Sequence, residues 1–136
     1  MDLIKKLEDL KKAFERLNES LIETEKNKNN PYYSIFRDSA IQRFEFTIEI
    51  FWKTIKEFLK VHEGINCSSP KNCIREFFAN GYITESETIE LLELIDYRNL
   101  TSHTYHEELA EKIYNILFTF TPLIEKTINI IQELYD

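Results

Sequence analysis

Residues 98–105 read Arg98-Asn99-Leu100-Thr101-Ser102-His103-Thr104-Tyr105, and they hold the side chains best suited to chemistry in this 136-residue chain. Histidine has the unperturbed pKa nearest neutrality, so His103 can give or take a proton at physiological pH. Arginine is a permanent cation whose fork of donors matches a phosphate. Together they suit phosphate chemistry that needs no metal. His103 would act as general base or acid toward a ribose 2′-hydroxyl. Arg98 would hold the scissile phosphate and neutralise its developing charge. Asn99 would orient a phosphate oxygen or His103 itself. A competing reading is structural: Arg98 pairs with Asp96 or Glu93, and His103 caps a helix. Spacing alone favours that second reading.

The elements around the segment decide whether its side chains can meet. Five residues of ideal helix turn through about 500°, which leaves Arg98 and His103 about 140° apart. They converge if the helix ends between them, and Asn99, Thr101 and Ser102 are weak helix formers that permit such an end. The expected site is a helix–loop–helix junction, or one completed by a second copy of the chain.

The rest of the chain reads as helical scaffold. Leu3, Leu7, Leu10, Phe14, Leu17 and Leu21 step by four and three along one helix face, the a/d stripe of a packed helix. Asn27 through Pro31 end it. A second helix is predicted from Tyr33 to His62, with Ile41, Phe44, Ile48, Phe51, Ile55 and Phe58 on one stripe and Ala40, Trp52 and Leu59 widening it. Phe46 and Ile50 lie on other faces, so this helix reads as central, with a share in a dimer interface. Gly64 suits its end. Ser69-Pro70 opens a short helix that stops at Asn80-Gly81. Thr84 through Glu87 is a capping box for a helix carrying Ile89, Leu92 and Ile95 into Arg98. A last helix begins near Thr104 to Glu107, a second candidate capping box, and Pro122 should kink it. No strand-like alternation competes. The expectation is an all-α, up-and-down bundle of about five helices, one domain over residues 1–136.

Composition narrows the partners. The net charge is −7, and the sequence places it unevenly: residues 84–136 carry three Lys or Arg against eleven Asp or Glu. A general polyanion binder shows a basic face instead, so DNA is not an expected partner. Contact with RNA or a nucleotide must use a local cationic site. The chain opens directly into an amphipathic pattern rather than an apolar targeting region, and no run approaches the ~18 apolar residues that span a bilayer. The expected location is cytoplasmic, without a membrane partner. In a reducing compartment Cys67 and Cys73 read as two free thiols. Glu45 with Glu49, and His103 with His106, lack a third metal ligand, so neither metal nor cofactor is expected.

Arg98, Asn99, His103 and Tyr105 match an Arg-x4-His-x-Tyr signature, and the chain resembles the HEPN superfamily that carries it. More closely, it resembles the small helical proteins called nucleotidyltransferase substrate-binding. Asp38-Ser39-Ala40-Ile41-Gln42-Arg43-Phe44-Glu45 with Trp52-Lys53 is similar to that family's central helix, and the likeness spans roughly residues 30–120. The resemblance implies a homodimer whose Arg and His motifs face one cleft. It also implies a minimal nucleotidyltransferase partner. In related toxin–antitoxin pairs the HEPN protein is a metal-independent endoribonuclease toxin, silenced when its partner adds AMP to the tyrosine that corresponds to Tyr105. Arg43 and Lys53, with Arg37 beside them, would make the cleft positive. The alternative is a non-catalytic subunit that binds a nucleotide or substrate for the nucleotidyltransferase.

Overall fold

The computed structural model describes residues 2–135. The heptad stripe becomes α1 (Asp2–Lys26), and all six of its apolar residues are buried. A turn through residues 27–32 reverses the chain into α2 (Tyr33–Glu63). Three threonine hydroxyls then bridge the two helices. Each bonds a carbonyl of its own preceding turn and one across the interface: Thr24 to Phe36 at 3.1 Å, Thr47 to Ala13 at 3.2 Å and Thr54 to Lys6 at 3.5 Å. These pairs run in opposite directions along the two helices, so α1 and α2 are antiparallel.

As its patterning predicts, α2 is central and packs against every other helix. Its stripe from Ala40 through Leu59 is buried, whereas Phe46 is 53% exposed. Gly64 ends α2 in the left-handed region at φ 68°, where a side chain would be strained. Its N–H donates to the Lys60 carbonyl and the Ile65 N–H to that of Leu59.

Ser69 caps α3 (Pro70–Ala79), its hydroxyl accepting from the Asn72 N–H at 3.2 Å. Gly81 at φ 84° then lets the Tyr82 N–H reach Phe77 O and its own N–H reach Phe78 O. This is a Schellman end, with the Phe77 and Tyr82 rings stacked 4.9 Å apart. The two cysteines depart from the expected free thiols. Cys67 and Cys73 are joined by a disulfide. The Ser69-Pro70 turn brings their α-carbons to 5.1 Å, within bonding range.

The predicted capping box opens α4 (Glu85–Leu100), with both reciprocal Thr84–Glu87 bonds formed. Its buried face is set by Thr88, Leu91, Leu94 and Ile95, and Ile89 points outward at 53% exposed. The last helix, α5 (Glu107–Tyr135), runs unbroken through Pro122. Pro122 deprives the Phe118 carbonyl of its backbone donor, and the Thr121 hydroxyl lies 3.5 Å from that oxygen. Contacts of Glu25 with Tyr114 and of Lys11 with Gln132 lay α5 antiparallel to α1. Lys126 bonds Glu87 and Phe120 packs on Tyr97, so α4 runs antiparallel to α5. The result is an up-and-down all-α bundle with α3 as the crossover. Among the described residues no helix is long and apolar enough to cross a membrane.

Candidate active site

Helix α4 runs out inside the motif, as the weak helix formers there predict. The buried Thr101 hydroxyl donates to the Arg98 carbonyl at 2.6 Å, and the Thr104 hydroxyl to that of Thr101 at 3.1 Å. These bonds tighten the chain into a 3-10 turn over Thr101–His103. The second candidate capping box does not form, because α5 begins only at Glu107 and Thr104 lies in the turn before it. The His106 N–H donates to the His103 carbonyl at 3.1 Å and leads into α5.

Arg98 stands in the last turn of α4, where a cation faces unpaired carbonyls favourably. Its Nε is buried and has no hydrogen-bond partner among the described residues. The pairing that the structural reading requires is absent among the described residues, because Asp96 instead takes Lys71 at 2.6 Å. Asn99, His103, Tyr105 and His106 are all exposed. The Tyr105 phenol is 74% exposed, and its ring meets that of His103 edge-on with centroids 6.1 Å apart. On its other side it lies 4.3 Å from His106. The junction thus offers an imidazole, a phenol and a half-free guanidinium to solvent.

Across from Arg98, α2 presents Glu49, which accepts from Lys53 Nζ at 3.1 Å and from the Trp52 indole at 3.3 Å. Burial pushes this carboxyl up, but Lys53, Trp52 and the charge of Arg98 outweigh it and hold Glu49 below the usual carboxylate range. Glu49 went unnoticed as a partner of the motif, although its i, i+4 spacing to Lys53 was visible in the chain. Lys53 is therefore ion-paired, and Arg43 lines a hollow against Arg16 of α1.

Arg37 does not line a positive cleft. Its residue is 2% exposed, and its guanidinium donates to both oxygens of Glu107, to Asp38 and to Glu111. Tyr33 donates to Glu111 at 2.7 Å, and Tyr114 to Glu25 at 2.6 Å. Burial, with a carboxylate added in each case, drives both phenols above their ordinary pKa. This polar cluster fixes the start of α5 on α1 and α2, and so anchors the far end of the motif loop. Among the described residues no group of three or more His, Cys, Asp or Glu side chains is placed to hold a metal.

Known proteins share both the sequence and the fold. The sequence pattern of the family described as nucleotidyltransferase substrate binding protein like matches residues 5–133. The chain is 31% identical over 111 residues to a Haemophilus influenzae protein named probable ribonuclease HepT, covering 75% of each. It superposes with a TM-score of 0.81 and 23% identity on a Haemophilus influenzae structure that reveals the fold of a substrate binding domain of a nucleotidyltransferase, over 93% of this chain and 98% of that one. A tri-AMPylated Shewanella oneidensis HEPN toxin in complex with MNT antitoxin shares the fold at TM-score 0.71 and 16% identity, covering 96% of each chain. With the Arg98–Tyr105 junction in place on this bundle, the chain belongs to the nucleotidyltransferase substrate binding protein like family.

Proposed function

We propose that this protein is a metal-independent endoribonuclease toxin, paired with a minimal nucleotidyltransferase antitoxin in the cytoplasm. The observation that carries the reading is the arrangement at the α4–α5 junction. Arg98 has no ion pair among the described residues, and His103 and Tyr105 stand exposed beside each other. His103 takes the 2′-hydroxyl proton or protonates the leaving oxygen. Arg98 neutralises charge developing on the phosphate. Asn99 orients the phosphate or the imidazole, and Arg43 and Lys53 add positive charge on the α2 side. A homodimer sets two such motifs in one cleft. The relative named as a ribonuclease supports the activity, and the AMPylated toxin–antitoxin complex supports the partner.

Tyr105 is the acceptor for silencing. Its phenolic oxygen attacks the α-phosphate of ATP, forming a phosphodiester, and pyrophosphate leaves. The adduct puts bulk and negative charge beside His103 and Arg98.

The test is incubation of a mixed single-stranded RNA with purified protein in EDTA, beside His103→Ala. Cleavage by the wild type alone is expected. Intact RNA from protein whose Tyr105 is unmodified by mass spectrometry overturns the reading. That outcome would favour the second one, a nucleotide- or substrate-binding subunit of the nucleotidyltransferase. The fold shared with a nucleotidyltransferase substrate binding domain favours this alternative.

A further inference from the structure

Three linked hollows of about 300, 380 and 400 Å³ follow one another along the seam between α1 and α2. The first and second share Asp9 and Ile50, and the second and third share Arg16 and Arg43. They form one continuous groove. Lys6, Lys12, Arg16 and Arg43 line it, and none of the four side chains makes an ion pair or hydrogen bond among the described residues. Lys6 and Arg16 are ten residues apart, which is about 15 Å along a helix. Four acids also line it: Asp9, paired with Lys5 at 3.9 Å, lies between Lys6 and Lys12, while Asp2 sits at one end and Glu19 and Glu23 at the other.

Phe46 is the one largely exposed apolar side chain on this lining, at 53%, with the partly buried Ile50 below it. A partner helix would want a wide apolar strip, and this groove offers a single ring among cations. That combination is what single-stranded nucleic acid uses, with phosphates on the cations and a base on the ring. Phe46, Glu49, Ile50 and Lys53 also follow the i, i+3, i+4, i+7 row of α2, so the groove and the Arg98 junction lie on adjoining flanks of one stripe.

We propose that the α1–α2 groove is a track for single-stranded RNA, holding backbone phosphates on Lys6, Lys12, Arg16 and Arg43 and stacking a base on Phe46. It rests on the ribonuclease reading and adds how the substrate reaches Arg98 and His103. The groove supplies the positive surface that the acidic residues 84–136 lack.

The experiment uses full-length His103→Ala, which cannot turn the probe over, and a fluorescein-labelled single-stranded RNA of about 15 nucleotides. Anisotropy is read between about 50 and 200 mM salt. Added to that parent, Lys12→Gln with Arg16→Gln should weaken binding tenfold or more and flatten the salt slope by about 1.4, two phosphates' worth. Phe46→Ala should cost about tenfold with the salt slope unchanged, as stacking requires. Lys112→Gln, an exposed cation of α5, should stay within twofold, and circular dichroism verifies that each variant is folded. Parent-like affinity in the groove variants overturns the track. If the wild type still cleaves RNA in EDTA, the ribonuclease reading survives that result. Loss of oligomer in the groove variants by sedimentation, without loss of RNA affinity, assigns the groove to a second copy and also overturns it.

Discussion

The Arg37 guanidinium holds both carboxylate oxygens of Glu107, Nη1 at 2.7 Å from one and Nη2 at 3.0 Å from the other. The arginine is buried on α2 and the glutamate stands exposed at the first residue of α5. One fork therefore decides where the motif loop lands. Removing Arg37 takes away charged hydrogen bonds worth about 2 kcal/mol and the packing of its stem. Arg37→Met is expected to lower chemical-denaturation stability by about that much. RNA cleavage should also fall at a temperature where the variant is folded, because α5 no longer fixes His103. Unchanged stability and activity would remove Arg37 from this role.

The same pair makes a pH prediction. The hydrogen bond and charge of Arg37 hold the Glu107 carboxyl below its ordinary value of 4.5. A depressed carboxylate contributes stability that is present above the unfolded pKa and is lost as pH falls through the folded one. Wild type should therefore lose stability below about pH 4.5 more steeply than Arg37→Met. Denaturation midpoints taken from neutral pH down to about pH 3 test this, and parallel curves for the two proteins would contradict it.

Glu49 is a brake on the cationic side of the site, since it holds Lys53 and faces Arg98. Glu49→Gln should free both charges and tighten binding of the labelled RNA several-fold at low salt, with the gain fading as salt rises. Weaker binding, with Trp52 fluorescence altered, would mean that the carboxylate chiefly orients its neighbours.

At the far end of α2, the Tyr82 phenol is pushed up to about 12 by burial, with its hydrogen bond to Glu63 adding to the shift. A raised phenol contributes stability below its unfolded pKa of about 10 that is lost as pH rises through the folded one. Ultraviolet titration should find Tyr82 among three late-ionising phenols, with Tyr33 and Tyr114 the other two, and Glu63→Gln should leave only those two late. A Tyr82→Phe protein with as many late phenols as the wild type would contradict the assignment.

Gly81 carries φ 84° at the end of α3, with nothing within 4 Å of where a Cβ would stand. The cost of Gly81→Ala is then backbone strain alone, about 1 kcal/mol. A larger loss in thermal unfolding would point to packing instead.

Much of this was legible in the chain because its signals are local. The α1 stripe, the Ser69-Pro70 and Thr84–Glu87 caps and the Gly64 and Gly81 ends each depend on residues within one or two turns. The α4 face was misread at Ile89, because Thr88 and Leu94 are buried in its place and apolarity alone cannot tell which flank meets a neighbour. Arg37 looked like a cleft cation, since nothing nearby in sequence predicts carboxylates 70 and 74 residues away. The disulfide was missed for a different reason: two cysteines were weighed by compartment rather than by the turn that brings them together. At the site, the motif residues were readable by type and spacing. The vacancy of Arg98 and the neighbourhood of Glu49 needed three dimensions.

The threonine-bridged hairpin of α1 and α2 is complete within the first 63 residues, and its bridging contacts span 12 to 48 residues. The clasp that seats the motif instead joins Arg37 to Glu107 and Glu111. Short-range pairing forms early and long-range closure late, and chains fold from the N-terminus as they are made. The Arg98–Tyr105 junction is therefore seated later than the α1–α2 hairpin during synthesis. A nascent chain cannot seat the segment that bears Arg98 and His103 until Glu107 and Glu111 have emerged to meet Arg37.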